Sequence, residues 1–294
     1  MLVTDMEREQ TISALIHREQ ANFTRSERKL ANTILENYPI SGLGSITSLS
    51  KASSVSNPTI VRLAKKLGFS GFAELQSRLR AEVETTISNP IMRHDRWAEQ
   101  VPDTHLLNRF ADAAMNNIRQ TLAQIDPLEF DKVATLISDE TRHIHIAGGR
   151  ITLPLAEYFF THLQMIRDGI SLIPPNISVW PHYILSMKPN DILVVFDIRR
   201  YEREISRLAE AAKKQDLDII LLTDQWGSPI TKIANHFFHS KTEAPSASDS
   251  NMVIMFIVEA LIAAAQNETW DDTRIRMKKL EELFDKTSLF KKLR

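Results

Sequence analysis

Apolar residues recur along the chain in two different rhythms, and the change from one to the other falls near the middle. Up to about residue 87 the spacing is helical. Thr24 and Glu27 form a T-x-x-E capping box, Leu30, Ala31, Ile34 and Leu35 follow as one stripe, and Pro39 ends the run. Gly42 and Gly44 make a turn ahead of Ile46 and Leu49. In SNPTIVRLAKKL, Ile60, Leu63, Ala64 and Leu67 fall at i, i+3, i+4 and i+7, which defines one buried helical face. Ser56 suits the N-cap, Val55 and Ile60 stand as a hydrophobic staple, Pro58 is tolerated in the first turn, and Gly68 suits the C-cap. Periodicity then fails between Ile87 and Pro102, so residues 88–102 read as a linker. A helix is expected after it, with Leu107, Phe110, Ala111, Ala114, Ile118 and Leu122 on one face.

From about residue 126 short β-branched runs alternate with longer helical ones. HIHIA at 143–147, ISLI at 170–173, DILVVF at 191–196, DIILLT at 218–223 and HFFHS at 236–240 read as strands. Helices are expected at about 152–166, 201–214, 228–235 and 249–266. Continuous apolar strands alternating with helices mean a parallel sheet covered on both faces. The tail from Asp271 is charged, with helical propensity and no core stripe. The expected architecture is an all-α helix-turn-helix domain over residues 1–87 and an α/β domain over 103–294, a five-stranded parallel sheet in three α/β/α layers.

Composition changes this picture in few places. Of 294 residues, 43% are hydrophobic and 25% charged, enough for an ordinary core in each domain. There is no cysteine, which excludes disulfides, thiol nucleophiles and cysteine metal sites. No apolar run has the length of a membrane span and the N-terminus lacks a signal-peptide core, so a cytoplasmic protein without a membrane partner is expected. The formal net charge is -1, yet between Lys51 and Arg80 the cations Lys51, Arg62, Lys65, Lys66, Arg78 and Arg80 face the single acid Glu74. With Thr59, Arg62, Lys65 and Lys66 on the polar face of the 56–67 helix, this segment reads as a recognition helix. Ser56, Asn57, Thr59, Arg62, Lys65 and Lys66 are the candidate contacts to a double-stranded operator. A protein-interaction module with a solvated basic face is the alternative on charge alone.

The segments TRSERKLANTILENYP and SSVSNPTIVRLAKKLGFSGFAELQSRL resemble the DNA-binding domain of the MurR/RpiR family of bacterial transcription regulators, from about Phe23 to Leu79. That family joins this module to a sugar isomerase (SIS) domain, which residues 126–266 resemble. The resemblance implies a regulator, by commoner family behaviour a repressor, that assembles as a homodimer or homotetramer and senses a phosphosugar in the SIS domain. The alternative is an SIS-fold isomerase or lyase with an accessory helical domain.

Two loops depart from that family. In IHIAGGRITLPLA, Gly148 matches the leading glycine and Thr152 stands where a phosphate-binding serine is usual, but Arg150 replaces a small residue. The spacing of Gly148-Gly149-Arg150 also fails a dinucleotide motif, and no cofactor is expected. In FDIRRYERE, Asp197 and Arg199 fall on two family serines and Glu202 on a threonine. Guanidinium forks bind carboxylate or phosphate. The expected effector is therefore a small anion, a phosphosugar or a carboxylate. Its candidate contacts are Gly148, Gly149, Arg150, Thr152, Asp197, Arg199, Arg200, Tyr201, and Ser246, Ser248 and Ser250 from the loop before the last apolar helix. The competing reading pairs Arg199 and Arg200 with Asp197, Glu202 or Glu204 in a structural network. His143 and His145 share a strand face, but no third ligand stands at metal spacing, so no metal is expected.

Overall fold

The computed structural model describes residues 11–36, 38–87 and 105–290. The expected linker, 88–102, lies outside them. By packing, the chain falls into two compact units, one comprising residues up to Gln124 with Glu243–Asp249, the other Ile125–Thr242 with Ser250 onward.

The first unit is helical. Helices α1 (Ile12–Glu19), α2 (Arg25–Glu36), α3 (Ile46–Ser53), α4 (Asn57–Lys66) and α5 (Phe72–Ile87) enclose a core of Ile12, Ile16, Leu30, Ile34, Leu49, Ile60, Leu63, Leu75 and Leu79. The capping box forms as the sequence requires. The Thr24 N–H donates to Glu27 Oε2 at 2.8 Å and the Glu27 N–H to Thr24 Oγ1 at 3.3 Å. Helices α3 and α4 are joined by a turn at 54–56 in which Ser54 is left-handed, φ 53°. The end of α4 is a Schellman closure, with Gly68 N–H on Lys65 O and Phe69 N–H on Ala64 O, both at 3.0 Å. Gly68 takes φ 94° there, a conformation that favours glycine.

Helix α6 (Leu106–Leu122) and the 243–249 loop group with this unit, tied by the Asn117 side chain donating to Glu243 O at 2.6 Å. The expected apolar face of α6 is not its buried face. Leu107 and Leu122 are exposed and Ala111 is open, while Ala114, Asn117, Gln120 and Thr121 are buried.

In the second unit α7 (Pro127–Ser138), β1 (Ile144–Gly148), α8 (Leu153–Ile166), β2 (Ile170–Leu172), α9 (Trp180–Ser186), β3 (Ile192–Asp197), α10 (Arg203–Lys213), β4 (Asp218–Asp224), β5 (His236–Ser240), α11 (Met252–Glu268) and α12 (Trp270–Thr287) follow in order. All five strands are parallel, in the order β2-β1-β3-β4-β5. Alternation sorts their side chains to two faces. Ile144, Ile146, Ile192, Val194, Phe196, Ile220 and Leu222 pack under α7, α8 and α11. Ala147, Leu193, Val195, Ile219 and Leu221 pack under α9 and α10. This is the expected three-layer α/β/α unit. The helix expected at 228–235 shrinks to one 3-10 turn, Pro229–Lys232, because Asn235 is already drawn to the sheet. Its N–H donates to Ile219 O at 2.9 Å and its Oδ1 accepts the Ile219 N–H at 3.1 Å. Helix α12 buries only Thr273, in keeping with its charged sequence.

Candidate functional site

The basic helix of the first unit presents fewer free cations than its helical wheel implies. Arg62 and Lys65 are exposed, as are Ser56 and Asn57 at the helix start. Thr59, expected to face outward, is only 4% exposed. Its Oγ1 lies 3.0 Å from Ser56 Oγ and accepts Arg62 Nη2 at 3.2 Å, so Thr59 holds the Arg62 side chain one turn on instead of standing on the surface. Ser56 holds the N-cap backbone position, but its side chain makes no capping bond. Lys66 is also redirected. Its Nζ donates to Glu27 Oε2 at 2.8 Å and Asn22 O at 2.9 Å, and lies 5.9 Å above the Phe23 ring. Burial pushes the Glu27 carboxyl up, but Lys66 and the Thr24 donors outweigh it and leave the group below its ordinary value. Helix α4 is thus clamped at its C-terminal end to the capping box of α2, while Arg62 and Lys65 remain outward.

In the second unit the strand order reverses between β1 and β3, the switch point where open α/β sheets hold ligands beyond their strand carboxyl ends. Gly148 ends β1 opposite Phe196 of β3. A Cβ on Gly148 would sit 2.7–2.9 Å from the Thr152 carbonyl and Leu153 N, so only glycine allows α8 to start this close to the strand. The following loops bring Gly149, Arg150, Thr152, Asp197, Arg199, Arg200 and Tyr201 to the same end of the sheet.

Several of these are already committed. Thr152 is 3% exposed, and its hydroxyl donates to Phe196 O at 2.7 Å while accepting the Gly149 N–H at 2.9 Å. It fastens β3 to the β1 loop, and the hydroxyl expected to meet a ligand is turned inward. Asp197 is 2% exposed and accepts Ser228 Oγ at 2.5 Å and the Glu202 N–H at 3.3 Å. Burial, reinforced by the nearby Asp224 charge, pushes its carboxyl up to about 6 despite those donors. Tyr201 donates to Asp224 Oδ1 at 2.7 Å; burial, and then Asp224, hold its phenol well above the ordinary value. Arg199 stacks its guanidinium over Trp226 at 4.1 Å, while its N–H donates to Asp224 Oδ2 at 2.7 Å. Arg150 and Arg200 are exposed, Arg200 on left-handed backbone with φ 68°, a strain of ~1–2 kcal/mol.

The sequence reading missed the hub of this arrangement. Asp224, at the end of β4, is fully buried and gathers the N–H groups of Arg199, Trp226 and Gly227 with the Tyr201 hydroxyl. Burial pushes its carboxyl up, against the pull of those donors. The available signal was an aspartate closing an apolar strand just before a Gln-Trp-Gly-Ser turn. Glu202 also enters, accepting the Arg150 N–H at 2.6 Å and lying against Gly149, where a Cβ would meet its Oε1 at 2.6 Å. Of the three serines, Ser250 belongs to this unit and accepts the Met252 N–H at 3.3 Å beside the start of α11. Ser246 and Ser248 belong to the first unit, where the Ser248 N–H donates to Ser246 Oγ at 3.2 Å.

Comparison with known proteins agrees with both halves. Residues 10–86 match the helix-turn-helix domain of the rpiR family, and residues 136–264 match the SIS domain. A helix-turn-helix reader joined to an SIS domain defines a DNA-binding transcriptional regulator. The chain belongs to the RpiR family of such regulators. An uncharacterised HTH-type transcriptional regulator of Clostridium perfringens is 26% identical over 218 residues, covering 72% of this chain and 75% of the relative. One from Caldanaerobacter subterraneus is 22% identical over 280 residues, covering 89% and 92%. Among solved structures, the sugar isomerase domain of an RpiR transcription factor from Sphaerobacter thermophilus has a TM-score of 0.57 at 19% identity, covering 61% of this chain and 99% of that one. The NanR protein of Vibrio vulnificus, complexed with ManNAc-6P, has a TM-score of 0.54 at 16% identity, covering 93% and 98%. At these identities the two structures establish the shared fold.

Proposed function

We propose that this regulator is a repressor whose SIS domain, within residues 103–294, senses a small anionic metabolite and alters operator binding by the 1–87 domain. The observation that carries the reading is the placement of Arg150 and Arg200, both exposed, on the loops after β1 and β3, at the switch point of the sheet. Guanidinium groups there favour a carboxylate or phosphate, and the phosphosugar held by NanR, of the same fold, belongs to that class. Asn57, Arg62 and Lys65 read and grip DNA, with Ser56 beside them. Leu106, Leu107, Met115 and Leu122 lie open along α6 in the single chain, which favours assembly into a homodimer or homotetramer on paired half-sites. Among the described residues no single helix is long and apolar enough to cross a membrane, consistent with a cytoplasmic regulator. An isomerase reading is weaker. Asp197, whose carboxyl is pushed up to about 6, is sealed and hydrogen-bonded, not open to a substrate.

The test is to select an operator from a random DNA pool and screen phosphosugars and carboxylate metabolites against the complex. An Arg150→Ala/Arg200→Ala variant should keep operator affinity and lose the response to the active compound. A coupling of ~1–3 kcal/mol makes that response about 5–150-fold. Unchanged response in the variant, or turnover of the compound, refutes the reading.

A further inference from the structure

Strand alternation turns His145 to the same face as Ala147, toward α9 and α10. The positions around it on that face, Leu193, Val195, Ile219 and Leu221, are buried and apolar. His145 is buried like them, 3% exposed, yet its Nδ1 has no hydrogen-bond partner among the described residues. Its Nε2 lies 3.4 Å from Asp191 Oδ2, an oxygen that also accepts the Lys188 N–H at 2.8 Å. His143 stacks against His145 with ring centroids 4.6 Å apart and meets Ser171 Oγ at 2.8 Å. A buried, incompletely satisfied polar cluster in an apolar layer is unfavourable for packing alone. Here it lines a cavity of about 580 Å³, walled also by His182 and Tyr183 of α9. This cavity opens at the amino ends of the strands, away from Arg150 and Arg200.

We propose that this cleft is a second ligand site of the SIS unit, one that takes a small oxyanion, a carboxylate or phosphate group. The charges at the cleft are uneven in a way that selects such a group. The Asp191 carboxylate is turned inward and engaged by His145 and the Lys188 N–H. Lys188 is exposed at the mouth, and its ammonium makes no hydrogen bond or ion pair among the described residues. Burial holds both histidines below their ordinary value. His143 also faces Asp191, Arg167 and Lys188, and His145 faces His143 and Asp191, with His182 and Tyr183 across the cleft. A bound oxyanion favours the charged imidazole, so binding takes up protons.

The experiment is calorimetry on the full chain near pH 7, titrating inorganic phosphate and malonate separately in two buffers of different ionisation enthalpy. At least one anion is expected to bind with net proton uptake; which one binds tells whether the group recognised is phosphate or carboxylate. Lys188→Ala should weaken that binding by about tenfold without lowering the unfolding temperature, and His143→Gln should reduce the proton uptake. Arg150→Ala/Arg200→Ala should leave it intact, which separates this site from the proposed effector site. Absence of binding by both anions, or binding kept in Lys188→Ala and lost in Arg150→Ala/Arg200→Ala, overturns the proposal.

Discussion

Replacing Lys66 with alanine separates the cations proposed to touch DNA, Arg62 and Lys65, from the one that fastens helix α4 to α2. In the folded chain its Nζ bonds Glu27 Oε2 and Asn22 O, and the Glu27 side chain is almost wholly buried. Removing the ammonium leaves that carboxylate with the Thr24 donors, chief among them the Thr24 N–H at 2.8 Å. Charge-assisted hydrogen bonds contribute ~1.5–3 kcal/mol each. Lys66 keeps 33% of its side chain in water, so solvent already screens the pair and ~1–2 kcal/mol is the expected loss. For a small helical unit that corresponds to roughly 5–10 °C in unfolding temperature. The pH dependence has a definite sign. Because the folded Glu27 pKa is depressed, its contribution is present above the unfolded value of about 4.3 and disappears as pH falls through the folded one. Thermal unfolding of parent and Lys66→Ala, followed by circular dichroism at pH 7 and pH 3, should show a gap that closes in acid. Glu27→Gln in the Lys66→Ala background should recover part of the loss at pH 7. Equal unfolding temperatures at pH 7, or a gap that persists at pH 3, would refute the clamp.

Three further outcomes follow from the geometry. Arg62→Ala/Lys65→Ala should leave unfolding unchanged, lower operator affinity at physiological salt and reduce the salt slope by about 2, measured by fluorescence anisotropy; a parental slope would remove these residues from the DNA interface. Asp197→Asn should stabilise the second unit at neutral pH. The folded carboxyl titrates near 6 and the unfolded one near 3.9, so its charge costs about 3 kcal/mol that accumulates as pH rises from about 4 to 7, and urea unfolding of the variant should lose that slope. Gly148→Ala should destabilise the second unit by ~1–3 kcal/mol, since its Cβ would overlap the Thr152 backbone, and a fully stable variant would show that α8 can retreat from β1.

The central strands β3 and β4 were legible because both their faces are buried, so their apolar runs are nearly continuous. HIHIA, ISLI, DILVVF, DIILLT and HFFHS each lie within two residues of an observed strand end. The capping box and the Gly68 closure were legible for a similar reason, because both are decided within a few residues. Features set by distant partners were not. The helical wheel turned Thr59 and Lys66 outward because it contains neither the buried setting of the first turn nor Glu27, which is 39 residues from Lys66. Helix α7 was passed over although Asp126 caps it and Pro127 opens it. Asp224 looked like an ordinary strand end, and its role emerges only when the β3 and β4 loops meet. The cleft histidines were seen as a pair, while Asp191 and Lys188 come to them through pairing of β1 with β3.

The contact between Glu202 and the Arg150 N–H has a quantitative consequence for the proposed effector site. A carboxylate fixed to the chain a few ångströms from that donor behaves as a competitor that never diffuses away. Tethering of this kind corresponds to effective concentrations of roughly millimolar or higher. An anion seeking the same N–H gains only the difference between its own interaction and the one it displaces. For the anionic effector proposed above, this competition would move the response curve toward higher metabolite levels, so that only accumulation of the metabolite would register. Under that proposal Glu202 would set a threshold within the loop itself, adjustable by a single substitution that leaves helix α4 untouched.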